Sequence, residues 1–148
     1  MIKVSLSAII LAGVFLTNSC TRKVERPVDC VQEFIVAVRQ HDMSKSWSLL
    51  GPEAVAYYNS IGEKNRKSGK GIFEHDIKEI KRFKADNGTY KIIPDLNDKS
   101  LVRVETETGQ VLDVNIIEYD GEYKIKDSNS VQNLIKAIAA EVKEEEYY

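Results

Sequence analysis

The stretch Leu101–Asp127, LVRVETETGQVLDVNIIEYDGEYKIKD, decides the fold of this chain. Apolar and polar residues alternate along three short runs, which are separated by Thr108-Gly109 and Asp120-Gly121. Strict alternation is typical of a strand that is covered on one face, and Asp-Gly between two such strands is a strong hairpin signal. The stretch therefore predicts an antiparallel meander that buries one face of its sheet.

The alternation also assigns side chains to the two faces of this sheet. The predicted covered face carries Val102, Val104, Thr106, Leu112, Val114, Ile116, Tyr123 and Ile125. The opposite face carries Arg103, Glu105, Asp113 and Asn115, which we interpret as a polar surface in water. A further short strand is predicted over Tyr90–Ile93, after the turn signal Asn87-Gly88.

Helical spacing governs the chain before the strands. Val31, Phe34, Ile35 and Val38 lie at i, i+3, i+4 and i+7, which predicts a first helix from Val28. The spacing places one continuous apolar stripe on that helix. This stripe is the natural cover for the apolar face of the sheet.

Two more helices are predicted after the first. Trp47 belongs to the second, for which Asp42 or Ser44 is the N-cap and Gly51-Pro52 the end. Glu53–Ile61 has the spacing of a third helix. The glycine-rich basic segment that follows, residues 62–71, is predicted to be a loop or a frayed helix end.

The remaining helical signals are of unequal clarity. Ile72–Phe83 is ambiguous between helix and strand. Near the C-terminus Ser130 is predicted to cap a last helix, and the final residues, 143–148, are charged and predicted to be loose. The apolar stripe of that helix consists of Val131, Leu134, Ile135, Ile138 and Val142.

Helices followed by a meander and one more helix predict an α+β fold. In this fold the N-terminal helices pack on a curved, cone-like antiparallel sheet, and the C-terminal helix is an addition. Residues 28–148 are predicted to be a single domain, which is consistent with their number.

The first residues carry an export signal. Lys3 precedes an apolar run, Ala8–Leu16, that is too short to span a bilayer, which needs roughly 20 apolar residues. Small residues then lead to Cys20. The sequence thus predicts a signal peptide over residues 1–19, followed by a polar tether over residues 20–27.

The segment Leu16-Thr17-Asn18-Ser19-Cys20 resembles the lipobox of bacterial lipoproteins, with Thr17 where that family usually has Leu. The resemblance implies that Cys20 becomes the first mature residue and that its sulfur carries a diacylglycerol. The protein would then be exported to the bacterial cell envelope and anchored to a membrane without spanning it. The alternatives are plain secretion and, in an exported chain, a disulfide between Cys20 and Cys30.

A second resemblance concerns the domain. Within residues 27–51, Asp42, Trp47, Leu49 and Leu50 match the opening helices of small exported proteins in the nuclear transport factor 2 superfamily. The run Tyr119–Asp127, YDGEYKIKD, is similar to a Gly-aromatic-Lys-Ile run of the same superfamily. The resemblance implies a cone-like fold, and it implies no particular reaction, because this fold hosts enzymes, binding modules and oligomerisation domains.

Composition and spacing argue against several classes of site. The formal net charge of −2 is no signature of nucleic-acid binding. His41 and His75 are far apart and lack a second ligand at helical spacing, so we expect no metal and no cofactor. Cys30 lies beside the apolar stripe of the first helix, where a cysteine is a small buried hydrophobe rather than a nucleophile.

Aromatic residues of the helices are the candidates for binding. Trp47 has the spacing of a core residue, and adjacent helical positions separate the rings of Tyr57 and Tyr58 by about 100°, so at most one of these two is core. These three residues are the candidate ligand contacts. The sequence therefore predicts a non-catalytic binding module for a small ligand or a protein.

Two alternatives stay open at this point. One is an enzyme of the isomerase or hydratase type that uses the interior of the cone, with Asp113 as its best carboxylate and Tyr57, Tyr58 or Tyr119 as donors. The other is a homodimer that is held through the exposed face of the sheet. A hollow cone would favour the enzyme, and a filled cone would favour binding or a structural role.

Overall fold

The computed structural model describes residues 23–80 and 90–145. These residues form an α+β fold in which helices cover a curled antiparallel half-barrel and a C-terminal helix follows, as the sequence predicts. The helices are α1 (Pro27–Arg39), α2 (Met43–Ser48), α3 (Pro52–Lys64), α4 (Gly69–Lys78) and α5 (Ser128–Glu145). The strands are β1 (Lys91–Pro94), β2 (Leu101–Glu105), β3 (Val111–Tyr119) and β4 (Glu122–Ile125).

The sheet is an antiparallel meander in the order β1-β2-β3-β4. The first part of β3, from Val111 to Asn115, pairs with β2, and the second part, from Ile116 to Tyr119, pairs with β4. The two neighbours of β3 are therefore staggered along it. This stagger lets the sheet curl around the helices instead of lying flat.

The predicted hairpin between β3 and β4 is confirmed. Asp120 and Gly121 both have positive φ angles, +53° and +74°. A two-residue turn with positive φ at both positions has the twist that two antiparallel strands need, and aspartate and glycine tolerate this conformation. The turn therefore fixes the register in which Ile116 lies opposite Ile125.

The predicted covered face forms the core. Val102, Val104 and Val114 are fully buried, whereas Arg103 and Asp113 on the opposite face are exposed. Helix α1 packs on the sheet through its predicted stripe, and α5 packs against α1, α3 and β3. The helical residues that complete this core include Val31, Phe34, Val38, Leu134 and Ile138.

Helices α3 and α4 differ from the prediction. Helix α3 continues to Lys64 and α4 begins at Gly69, so neither a loop nor a frayed helix end extends over residues 62–71. Only residues 65–68 connect the two helices. The hydroxyl of Ser68 accepts the backbone N–H of Gly71 and so caps α4. The ambiguous segment is helical up to Lys78. Residues 81–89, with the predicted Asn87-Gly88 turn, lie outside the described residues.

The N-caps of α2 and α5 are aspartates. Asp42 accepts the backbone N–H of Lys45 at 2.9 Å, which decides between the two candidates for the cap of α2. The predicted cap of α5 is wrong, because Asp127 accepts the N–H of Ser130 at 2.8 Å and the helix begins at Ser128. Ser130 points inward, where its hydroxyl accepts the N–H of Asn115 in β3.

The segment before α1 is attached to the sheet. Val24 is only 4% exposed, and its carbonyl oxygen accepts the N–H of Tyr123 in β4 at 3.1 Å. The sequence predicts a polar tether over residues 20–27. In the structure, residue 24 of this segment is part of the core, and Pro27 is the first residue of α1.

The outer edge of β4 is also paired with the α2–α3 connection. The N–H of Ile125 donates to the carbonyl of Leu49, and the N–H of Gly51 donates to the carbonyl of Ile125. The two backbones approach so closely that a Cβ atom on Gly51 would lie 3.0 Å from the Ile125 oxygen. Glycine at this position therefore permits the contact between the helical half and the sheet.

We predict that α5 is an integral part of the domain. Leu134 is fully buried, so Leu134→Ala should lower the free energy of unfolding by about 2–5 kcal/mol through lost burial and a residual cavity. Lys136→Ala, two residues further along the same helix at an exposed position, should change it by less than about 0.5 kcal/mol. Urea unfolding of both variants measures the difference, and equal midpoints would contradict this packing.

Candidate functional site

A surface groove of about 490 Å³ lies where α2, the start of α3 and the β3–β4 hairpin meet. We call it the Trp47 groove. Its apolar lining consists of Trp47, Leu50, Pro52, Val55, Ala56 and Tyr119. Its polar lining consists of Ser48, Asn59 and Lys124.

An aromatic cluster holds Trp47 in place from behind. The Trp47 ring lies 5.5 Å from the ring of Phe73 in α4 and 6.2 Å, edge to face, from the ring of Tyr58 in α3. Contacts of this kind add about 0.5–1.5 kcal/mol to the burial of the rings. The indole is therefore half-buried and fixed, and its remaining surface borders the groove.

Lys124 lies at the groove with its charge already engaged. Its Nζ donates to the carbonyl of Ser48 at 2.6 Å and lies 3.5 Å from a carboxylate oxygen of Glu122. A cation held in this way contributes little free positive charge to a ligand. The groove therefore suits an apolar or aromatic group with a few polar atoms rather than a strongly charged anion.

The structure separates the three predicted ligand contacts. Only Trp47 lines the groove. Tyr58 is fully buried behind it, where burial and the nearby Asp76 raise the pKa of its phenol well above the usual range. Tyr57 is 37% exposed on another side of α3, and its hydroxyl accepts a hydrogen bond from Gln132 of α5. The prediction that at most one of the two tyrosines is core is confirmed.

Tyr119 and Val55 belong to the apolar lining of the groove together with Trp47. Tyr119 is 45% exposed, although it is one of the largest apolar side chains in the hairpin. The only sequence signal for a role of Tyr119 was its position at the end of the alternating run, immediately before the Asp120-Gly121 turn. Sequence reasoning named it only as a donor for the alternative enzyme.

A second, polar groove of about 520 Å³ runs along α1, and we call it the α1 groove. Lys23 and Arg26 line it beside the attached N-terminal segment. Cations and carboxylates both line it and form two ion pairs: Arg26 contacts Asp29, and Lys45 of α2 contacts Glu33 of α1, each at 2.7 Å. This surface therefore presents no strong field of one sign.

The two chemically reactive candidates of the sequence lie away from the Trp47 groove. Cys30 is a free, fully buried thiol, and burial, as the main cause, raises its pKa to about 12. A thiol of this kind is no nucleophile at neutral pH. Asp113 is exposed and lies 3.2 Å from the guanidinium of Arg103, which confirms the predicted polar face.

A buried charged cluster lies at the end of α1. Arg39 is 6% exposed and its guanidinium lies over the ring of Tyr90 at 5.9 Å. Burial and the neighbouring Glu141 of α5 raise the pKa of the Tyr90 phenol above its usual range. These contacts join α1, the start of the sheet and α5, and we interpret them as structural.

The described residues contain no cluster of three or more His, Cys, Asp and Glu side chains placed to hold a metal ion. Of the two histidines, His41 contacts the carbonyl of Ile80 through Nε2. None of the helices in this part of the chain has the length and apolarity to cross a membrane. Cys20, the predicted lipidation site, lies outside the described residues.

Comparison with known proteins gave no match: no family model, no curated protein and no solved structure is significantly similar to this chain.

We predict that Cys30 is protected from thiol reagents in the folded protein. In a Cys20→Ser background Cys30 is the only thiol, and its burial should keep labelling slow until urea unfolds the domain. Asn129→Cys at an exposed position of α5 provides a matched control that should label rapidly. Rapid labelling of Cys30 without urea would contradict the packing of α1.

Proposed function

We propose that the protein is a bacterial envelope lipoprotein that is anchored through Cys20 and binds its ligand, without catalysis, in the Trp47 groove. The observation that carries the proposal is the groove itself, which is lined by a fixed, half-buried tryptophan and an exposed tyrosine. Apolar concave sites with a few polar groups are the usual form of ligand sites. The cone-like superfamily remains a resemblance of sequence.

Rigid elements around the groove support a binding role. Val55 and Asn59 project from one side of α3, Tyr119 comes from β3, and Trp47 is fixed by the aromatic cluster. A preformed site loses little side-chain entropy when it binds. An aromatic or aliphatic group of a small molecule, a lipid or a protein segment fits the lining chemically.

The placement of the acidic and nucleophilic candidates supports binding over catalysis. A general base needs to lie within hydrogen-bond reach of its substrate. Asp113 lies on the solvent face of the sheet with Arg103, and the Cys30 thiol is sealed in the core. Neither residue borders the Trp47 groove.

We expect Cys20 to be the mature N-terminus. Intact-mass and peptide analysis of the protein purified from bacterial membranes should find a cysteine that carries a thioether-linked diacylglycerol. Cys20→Ala should abolish this modification, while Cys30→Ala should leave it unchanged. An unmodified N-terminus, or a retained signal segment, would contradict the anchor.

We expect the Trp47 groove to bind a neutral aromatic probe. N-phenyl-1-naphthylamine should gain fluorescence with the protein and accept energy from Trp47. Val55→Glu places a charge in the groove and should weaken binding about tenfold or more, because an ion there is costly to desolvate. Ser60→Glu, at an exposed position of the same helix outside the groove, is the matched control. Equal affinities for the two variants would exclude the groove.

A further inference from the structure

We propose that the Trp47 groove lies against the membrane to which the protein is anchored, and that its ligand is the zwitterionic phospholipid of that membrane. Trp47 and Tyr119 then lie at the boundary between headgroups and acyl chains. This inference rests on the proposed lipidation of Cys20. It identifies the partner of the groove and the side of the domain that faces the bilayer.

The first step is the length of chain between the anchor and the domain. Val24 is fixed to β4 by its buried side chain and by the hydrogen bond from the N–H of Tyr123. Cys20 precedes it by four positions in the sequence. Four residues span at most about 14 Å when fully extended, which is about half the roughly 30 Å diameter of a small domain. The face around Val24 is thus held at the membrane, and the opposite face is kept away from it.

The second step is the location of the groove relative to this attachment. Tyr123, which holds Val24, is followed directly by Lys124, which lines the Trp47 groove. The Nζ of Lys124 lies 2.6 Å from the carbonyl of Ser48, the neighbour of Trp47. Val24 and the Leu49–Gly51 connection beside the groove therefore bond to nearby positions of the same edge of β4, Tyr123 and Ile125. A bilayer within reach of Cys20 is also within reach of the groove.

The third step is the chemistry of the surface. Tryptophan and tyrosine favour the boundary between water and hydrocarbon, because each combines a large apolar ring with a polar atom. Tyr119 is 45% exposed, and Val55 and Pro52 extend the apolar lining beside it. Exposure of this apolar surface to water costs free energy, and contact with acyl chains would remove the surface from water.

The charges near the attachment decide which lipid is favoured. Lys124 is engaged by Ser48 and Glu122, and Arg26 is paired with Asp29 in the adjacent α1 groove. A polybasic surface would select anionic lipids at about 1 kcal/mol per free cation. Lys124, the cation in the lining of the groove, is engaged in this way, so we assign the groove to zwitterionic phospholipid rather than to anionic lipid.

The test uses the lipidated full-length protein in phosphatidylcholine vesicles. Trp47 is the only tryptophan of the chain, so its fluorescence reports on the groove alone. Phosphatidylcholine brominated near the carbonyl end of its acyl chains should reduce the Trp47 emission by about twofold or more, as expected for an indole at the interface. Aqueous iodide should quench it less with vesicles than with detergent-solubilised protein.

Two variants separate the tether from the affinity of the groove. A Gly-Ser insert of about twenty residues after Thr21 adds roughly 25 Å of average reach and should remove most of the bromolipid quenching. Tyr119→Asp should reduce the quenching with the normal tether, while Glu118→Asp, at a neighbouring exposed position outside the groove lining, should not. Quenching that persists at full strength with the long insert would overturn the short tether as the feature that holds the groove at the membrane.

The failures of the two proposals are distinguishable. Mass spectrometry of the same sample reports the acylation of Cys20, and its absence overturns the anchor. An acylated protein whose Trp47 is quenched by iodide and not by bromolipid overturns the membrane-facing groove and leaves the anchor in place. If Trp47 is shielded from both quenchers and light scattering of the detergent-solubilised protein shows a dimer, a second copy of the chain covers the groove. That result would also overturn the lipid assignment.

Discussion

The outer edge of β4 is the constraint on which the rest of the structure depends. A strand at the edge of a sheet exposes unpaired N–H and C=O groups, which need partners or protection. Here Val24 and the Leu49–Gly51 connection supply those partners from the helical half of the chain. Two segments that are far apart in sequence are thereby joined to the last strand by main-chain hydrogen bonds. The covered edge closes the domain on this side.

The same pairing creates the Trp47 groove. Because Gly51 and Leu49 are held against Ile125, α2 ends and α3 begins directly beside the β3–β4 hairpin. Trp47 at the end of α2 and Tyr119 at the end of β3 then line the same groove. The aromatic contacts with Tyr58 and Phe73 stabilise the indole from the core side. The groove is thus a consequence of how the edge of the sheet is covered.

Several charged side chains on the described surface are paired with the opposite charge. Arg103 and Asp113 pair across the polar face of the sheet, and Arg26 and Asp29 pair at the start of α1. Exposed pairs of this kind contribute little to stability. Such pairs do not concentrate charge of one sign, and apolar contact at Trp47 and Tyr119 is the interaction that the Trp47 groove offers. If the proposed anchor at Cys20 is correct, the attachment at Val24 would give that contact a direction relative to the membrane.

Local pattern alone determined the α+β plan: the alternation in Leu101–Asp127 set the faces of the strands, the Asp120-Gly121 turn set a hairpin register, and helical spacing set the stripe of α1. These features depend on neighbours in the sequence, and the structure confirms them. Tertiary structure alone decided which tyrosine was buried, why Ser130 points to Asn115 and how Val24 joins β4. It also placed Tyr119 beside Trp47, which no sequence spacing indicates, because the two residues meet only when the edge of β4 is paired with the connection between α2 and α3.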